Sequence, residues 1–309
     1  MILLDFNISF VYNGTVPNRY STLFFSNNFK YGRTMKTVTE KAYAKINLYL
    51  DVVGKREDGY HDILSVMHTV NLYDTVAVEL SDSFSMECTD SSLSCGEDNL
   101  CIKAARAFYD AYGREGGCRI SLTKVIPSQA GLGGGSSDAA AVLRALNTLH
   151  GEALSEDTLL KTALKLGADV PFLVRGGSAI CEGIGEVMTP FIALPKCRIL
   201  ISTGRDNVST PQAYKIIDST IRSQNGDFEG FKASMENGDV KAVCSYLYNR
   251  FEDTLPSCRE IKAIMKDNGA MGALMSGSGS AVFGIFETEE AQLEAEKALN
   301  KEGLKTFRC

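Results

Sequence analysis

The sequence predicts an α+β protein in two domains, and three observations lead there. The chain has 309 residues, and single hydrophobic cores stop growing near ~250–300 residues. Strand-like and helix-like segments mix in both halves, without the regular alternation of a doubly wound sheet. Pro190 and Pro195 bracket a short connection ending at Cys197, as a chain does when it passes between domains. The expected division is an extension over 1–34, a first domain over 35–192 and a second over 193–309.

Composition removes several function classes. The chain is 44% hydrophobic and 23% charged, with no tryptophan and a formal charge of −6. It contains no basic run, so nucleic acid is not an expected partner. No apolar stretch approaches the ~20 residues needed to span a bilayer, so no membrane association is expected either. The 9 cysteines are odd in number, scattered, and never spaced as CxxC. Free thiols in a reducing cytoplasm follow, rather than a disulfide framework or a zinc site.

Residues 1–34 are rich in Asn, Ser, Phe and Tyr and show no sustained period. They lack the basic start and continuous apolar core of a signal peptide. Met35 is the expected physiological start, because strand-like alternation begins soon after it. Lys41 to Val53 reads as a long strand, with Lys45 and Asn47 on one face because side chains alternate with period two. Those two residues read either as the wet face of an edge strand or as a functional pair. Gly59-Tyr60-His61-Asp62 follows a turn. His61 beside an aromatic is either structural or able to grip a planar ligand by stacking and hydrogen bonding.

Thr75 to Leu80 is a predicted strand, and residues 81–96 read as polar loop. Asp98 or Asn99 is positioned to cap a helix reaching about Tyr112. The stretch that organises the rest is Pro127 to Asp138, with glycines at 131, 133, 134 and 135. It follows strand-like alternation from Cys118 to Val125 and opens a helix from about Ala139 to Asn147, with Ser136, Ser137 or Asp138 as candidate N-cap. Glycines permit positive φ and let an anion approach the main chain, and a helix N-terminus favours negative charge. Strand, glycine loop and helix together therefore read as a phosphate cradle, although neither the Walker A ending nor the Rossmann spacing is present.

Ser155 is the expected cap of the next helix, which Gly167 should end. Asp169 then precedes Val170-Pro171, and the proline stiffens the backbone beside it. Its plain reading is a turn aspartate. Residues 176–186 read as a strand with a turn. In the second domain, Arg198 to Thr203 is a strand, Thr210-Pro211 opens a helix, and Ser257 to Asn268 is a helix closed by Gly269. The turn Ser276-Gly277-Ser278-Gly279-Ser280, a strand from Ala281 to Phe286 and a helix from Thr288 to about Glu302 complete the chain.

Ala44-Lys45-Ile46-Asn47-Leu48, the Pro127 to Ala141 loop and the Ser276 to Ser280 turn resemble, in order, the three motifs of the GHMP kinases. Arg56 to Asp62, Glu97-Asp98-Asn99-Leu100 and Leu166 to Phe172 narrow the similarity to the branch serving the non-mevalonate isoprenoid route. The likeness runs over roughly residues 36–309. It implies a first domain like the second domain of ribosomal protein S5, a ferredoxin-like second domain, and an active site between them. It further implies ATP-dependent phosphorylation of the 2-hydroxyl of a diphosphocytidyl-methylerythritol, with Mg2+ arriving on ATP, in a cytoplasmic monomer or homodimer. By the same resemblance Lys45 and Asp169 are catalytic. The nucleotide falls to Asn99, Lys124, Pro127, Gly131, Leu132, Gly133, Gly134, Gly135, Ser136 and Ser137. Substrate falls to Asn47, Tyr60, His61 and Tyr214, with His61 on the cytosine edge and the two tyrosines on its faces.

Two departures stand out. Asp138 occupies a place where the family pattern admits Asn, adding a negative charge either near the nucleotide or turned away as a cap. Ser128-Gln129-Ala130 replaces a more glycine-rich entry to the loop. The alternatives are another GHMP kinase, of homoserine or mevalonate type, and a non-catalytic binding protein of the same fold.

Overall fold

The computed structural model describes residues 37–205, 209–220 and 225–309. The expected extension over 1–34 and the expected start at Met35 lie outside them. The first half runs β1 (Thr37–Lys55), β2 (His61–Ser81), β3 (Ser85–Cys88), α1 (Leu100–Tyr112), β4 (Gly117–Thr123), α2 (Gly134–Leu149), α3 (Glu156–Leu164), α4 (Val170–Arg175), β5 (Ser178–Glu182) and β6 (Val187–Pro190). The second half runs β7 (Arg198–Thr203), α5 (Thr210–Ser219), α6 (Phe228–Glu236), α7 (Val240–Tyr246), β8 (Tyr248–Asn249), α8 (Pro256–Asp267), β9 (Gly272–Met275), β10 (Ala281–Phe286), α9 (Glu289–Lys301) and β11 (Thr306–Arg308).

β1 and β2 form a long antiparallel ribbon at the centre of the first sheet, whose order is β3-β4-β2-β1-β8, with β5 pairing β2 and β6. The second sheet has the order β11-β7-β10-β9 and is antiparallel throughout. Helices pack on these sheets, giving the α+β arrangement expected from the sequence.

The two halves share a core cluster. β8 belongs to the second half, yet it joins the first sheet parallel to β1, with Tyr49 opposite Tyr248. Ile46 and Leu48 of β1 pack in one cluster with Ile201, Phe231, Leu274 and Phe283. Fully burying such a side chain contributes ~1.5–3 kcal/mol, so this shared layer binds the halves and fixes the cleft between them. It also corrects the edge-strand reading of β1. The strand is flanked by β2 and β8, and Lys45 and Asn47 are 4% and 1% exposed.

β2 is far longer than the predicted Thr75 to Leu80. Its buried positions change phase along the strand, from 61, 63 and 65 to 70, 72 and 74, and include the polar His61, Ser65 and Asp74, which together conceal the period of two. Asn99 caps α1 as expected, accepting from Cys101 N. The cap of α2 is a correction: Gly133 holds it, with φ 71° and no side-chain hydrogen bond, and the helix starts at Gly134. α3 is capped by Ser155 but ends at Leu164, short of Gly167. Asp169 takes the cap position of a further short helix, α4, with Pro171 in its first turn, where its missing N–H costs nothing.

Candidate active site

β1 presents Lys45 and Asn47 to the cleft between two irregularities. Its register with β2 shifts between Tyr43 and Lys45 and again between Asn47 and Tyr49. Bulges of this kind re-aim side chains. Lys45 Nζ donates to Asn47 Oδ1 at 2.7 Å. Because an ammonium only donates, that contact fixes the amide orientation and leaves Asn47 Nδ2 to donate to Ser65 Oγ at 2.8 Å. Ser65 in turn donates to the Tyr49 carbonyl at 2.8 Å. Across the cleft, Asp169 Oδ2 lies 3.6 Å from Lys45 Nζ, an ion pair too long to be a direct hydrogen bond. The lysine side chain is 5% exposed and the aspartate side chain 33% exposed. A rigid buried cation therefore faces a carboxylate open to ligand.

The glycine loop packs directly on this lysine. Lys45 N donates to the Leu132 carbonyl at 3.0 Å, and a Cβ at Gly133 would lie 3.3 Å from Lys45 Cγ. At Gly131, with φ +77°, a Cβ would fall 2.1 Å from the Ser276 carbonyl oxygen, so two turns meet backbone to backbone. Ser276 Oγ donates to the Gly131 carbonyl at 3.0 Å and accepts from Asn47 N at 3.3 Å. Asn249 Nδ2 holds the Ser276 turn by donating to the Met275 and Gly277 carbonyls. All three sequence motifs thus meet at one point. Because Gly133 offers no capping oxygen, the first amides of α2 keep their donors for an incoming anion.

Behind the loop sits a buried charge cluster. Lys124 Nζ donates to Asp74 and, at 2.7 Å, to Asp138 Oδ2. All three side chains are 6% exposed or less. Asp74 Oδ1 also accepts from Val125 N at 2.5 Å and Ile126 N at 2.8 Å, anchoring the loop entry to β2. Burial drives the Asp138 carboxyl up to about 7; Lys124 opposes this and Asp74 adds to it.

A cavity of about 880 Å³ runs from the loop past the lysine to the start of β2. Gly133, Gly134, Gly135 and Ser136 line one end; Tyr60, His61 and Tyr214 line the other. His61 Nε2 is 2.7 Å from Asp218 Oδ1, and Lys55 Nζ donates to Asp218 Oδ2 at 2.6 Å. Tyr214 stacks on the His61 ring at 4.6 Å and 18° and makes a T-shaped contact with Phe251. Burial, with Asp169 adding to it, raises the Tyr214 phenol to about 12, so it stays protonated.

The structure therefore brings Lys45, Asn47, Asp169, His61, Tyr60, Tyr214, Gly131 and Gly133 to Ser136 onto one cavity. Other residues expected at the nucleotide carry structural duties. Asn99 spends its amide on Cys101 N and the Ser94 carbonyl, and Ser137 Oγ donates to the Tyr43 carbonyl. Lys124 is held by the two aspartates, Leu132 is core, and Pro127 is part of the loop entry, away from the cavity wall. Of the two tyrosines expected on the base, Tyr214 lies on His61, while Tyr60 sits at the rim, 61% exposed. Sequence reasoning missed Ser65, Asp74 and Asp218. Asp218 had one available signal, because it follows Tyr214 by one helical turn on the same face.

The description "GHMP kinases N terminal domain" matches residues 99–177, and "GHMP kinases C terminal" matches residues 220–305. A 4-diphosphocytidyl-2-C-methyl-D-erythritol kinase of Caldicellulosiruptor saccharolyticus is 41% identical over 278 residues, covering 87% of this chain and 96% of that protein. One of the same name from Desulfitobacterium hafniense is 42% identical over 265 residues, covering 83% and 88%. Among solved structures, a 4-(cytidine 5'-diphospho)-2C-methyl-D-erythritol kinase superposes with TM-score 0.73 at 34% identity, covering 87% of this chain and 97% of the other. A homoserine kinase from Cytophaga hutchinsonii superposes with TM-score 0.72 at 20% identity, covering 91% and 96%, a likeness of fold alone.

Proposed function

The chain belongs to the GHMP kinase family, and on that premise we propose that it transfers the γ-phosphoryl group of ATP to the 2-hydroxyl of 4-diphosphocytidyl-2-C-methyl-D-erythritol. The observation that carries the reading is the Lys45–Asp169 pair, standing in one cavity between an uncapped helix N-terminus and a stacked His–Tyr pocket. The amides of Gly133 to Ser136 take the ATP phosphates, with the dipole of α2 behind them. Asp169 orients the acceptor hydroxyl and receives its proton. Lys45, held rigid by Asn47, faces the charge that spreads over the equatorial oxygens during transfer. The 3.6 Å between Lys45 and Asp169 leaves room for both groups to contact reacting oxygens.

Mg2+ comes with ATP in this reading. Among the described residues no cluster of three His, Cys, Asp or Glu is built for a metal. The ion would therefore be held mainly by phosphate oxygens and water, with Ser136 and Asp169 as the nearby protein oxygens; when bound it offsets phosphate charge. At the other end, His61 hydrogen-bonds the base edge. A base paired edge to edge with His61 shares its plane, and Tyr214, stacked on His61 parallel to that plane, flanks one face of the base in this reading. Tyr60 covers the other.

The test is ADP release by purified protein given 4-diphosphocytidyl-2-C-methyl-D-erythritol, homoserine or mevalonate. Release with the first alone is expected. Faster release with either of the others would reassign the substrate, and no release with any of them would defeat the kinase reading.

A further inference from the structure

The base end of the cavity contains a carboxylate that neither the motifs nor the relatives' names assign. Asp218 Oδ2 takes a hydrogen bond from Lys55, and Asp218 Oδ1 lies 2.7 Å from His61 Nε2. Lys55 and His61 together hold the Asp218 carboxyl below the usual carboxylate range, so it is ionised and can only accept. The hydrogen between the two groups therefore sits on His61 Nε2. With the imidazole neutral, a hydrogen at Nε2 leaves the lone pair at Nδ1. Tyr214, flat against the ring, keeps the imidazole plane fixed, and turning the ring over would break the Asp218 contact.

We propose that Asp218 is a positioning residue for base selection: it locks His61 as an acceptor toward the base, and so selects a cytidine over a uridine diphosphate substrate. This rests on the substrate reading above. Cytosine presents an amino donor at its 4-position, whereas uracil presents an oxo acceptor there. A lone pair on Nδ1 gains a hydrogen bond from the first. Against the second it places two acceptors face to face, and neither gains a hydrogen bond. Lys55 contributes by holding the far oxygen of Asp218, which turns the near oxygen onto His61.

Steady-state rates with the cytidine substrate and its uridine counterpart test this in wild type, Asp218→Asn and Asp218→Glu. An asparagine can either accept from or donate to Nε2, so the tautomer is released. The cytidine-to-uridine ratio of kcat/KM is expected to fall about tenfold in Asp218→Asn, the worth of one hydrogen bond. The change should lie in KM for the nucleotide-bearing substrate, with KM for ATP unchanged. Asp218→Glu, which keeps the charge, should recover part of the ratio. The chain has only 3 histidines, so 15N–1H ring correlations can be assigned to His61, and Nε2–H is expected in wild type. A wild-type ratio retained in folded Asp218→Asn, or an Nδ1–H tautomer in wild type, overturns the proposal alone. No ADP release from wild type with either nucleotide overturns the substrate reading and the proposal with it.

Discussion

Ser276 Oγ donates to the carbonyl of Gly131 at 3.0 Å, tying the turn of the second half to the phosphate loop of the first. The same oxygen accepts from Asn47 N, so one hydroxyl joins the loop, the turn and the strand that carries the lysine. Ser276→Ala removes both bonds from a fully buried position. A stability loss of ~1–3 kcal/mol is expected from urea unfolding. KM for ATP should rise several-fold, because Gly131 loses its brace. An unchanged KM together with unchanged stability would show that the contact is not a brace.

Asp169→Asn keeps the shape and removes the charge. A fall in kcat of roughly 10²–10⁴ is expected, the range of a positioned acid–base group, with KM for either substrate within a few-fold. The side chain is 33% exposed and caps no N–H, so the fold should persist. Near-normal turnover would remove Asp169 from the mechanism.

Lys45→Met retains the buried stem and deletes the ammonium. kcat is expected to fall at least ~100-fold through loss of transition-state charge stabilisation. Lys45→Arg should not rescue it: Gly133 packs on the stem, and a planar guanidinium does not fit the space of a point charge. Single-turnover measurements separate this loss from nucleotide binding.

Asp138 makes stability depend on pH. Its carboxyl stands near 7 in the folded chain, chiefly through burial, against 3.8 when unperturbed. Between those values the folded chain holds a proton that the unfolded chain has released. The resulting stabilisation is complete below 3.8 and is lost as pH rises to about 7. Asp138→Asn keeps an acceptor for Lys124 and removes the titration. Relative to wild type, the variant should therefore gain stability as pH rises from about 5 to about 8. Urea unfolding at both pH values measures this, and an equal difference at the two would mean that Asp138 is ionised throughout. The variant-minus-wild-type difference is the proper quantity because His68 acts the other way. Burial lowers its imidazole from 6.5 to about 4, so its contribution is lost as pH falls through that interval.

Much of the site was legible because its parts are local. A strand with Lys45 and Asn47 two apart, a glycine loop opening a helix, and an aspartate before Val-Pro are patterns within single segments. Chain-level periodicity also placed β7 and β10 correctly. β2 was the main miss. His61, Ser65 and Asp74 are buried in it, where a polar residue interrupts the apolar alternation that marks a strand, and the buried positions change phase along its length. Those same three residues hold Asp218, Asn47 and the loop entry, so the site's own supports obscured the element that carries them.

The sequence by itself determined many of the element types, the mixed architecture and the strand, glycine loop and helix that open the site, whereas the pairing of Lys45 with Asp169 came from the family resemblance. Tertiary structure decided which residues face the cavity and which hold it from behind. Lys124 is held by Asp74, Asn99 caps α1, and Asp218 comes to lie against His61. The physical reason is that a motif specifies local backbone and chemistry. The partner of a buried charge is set by the packing that brings distant segments together, where burial makes an unpaired charge costly.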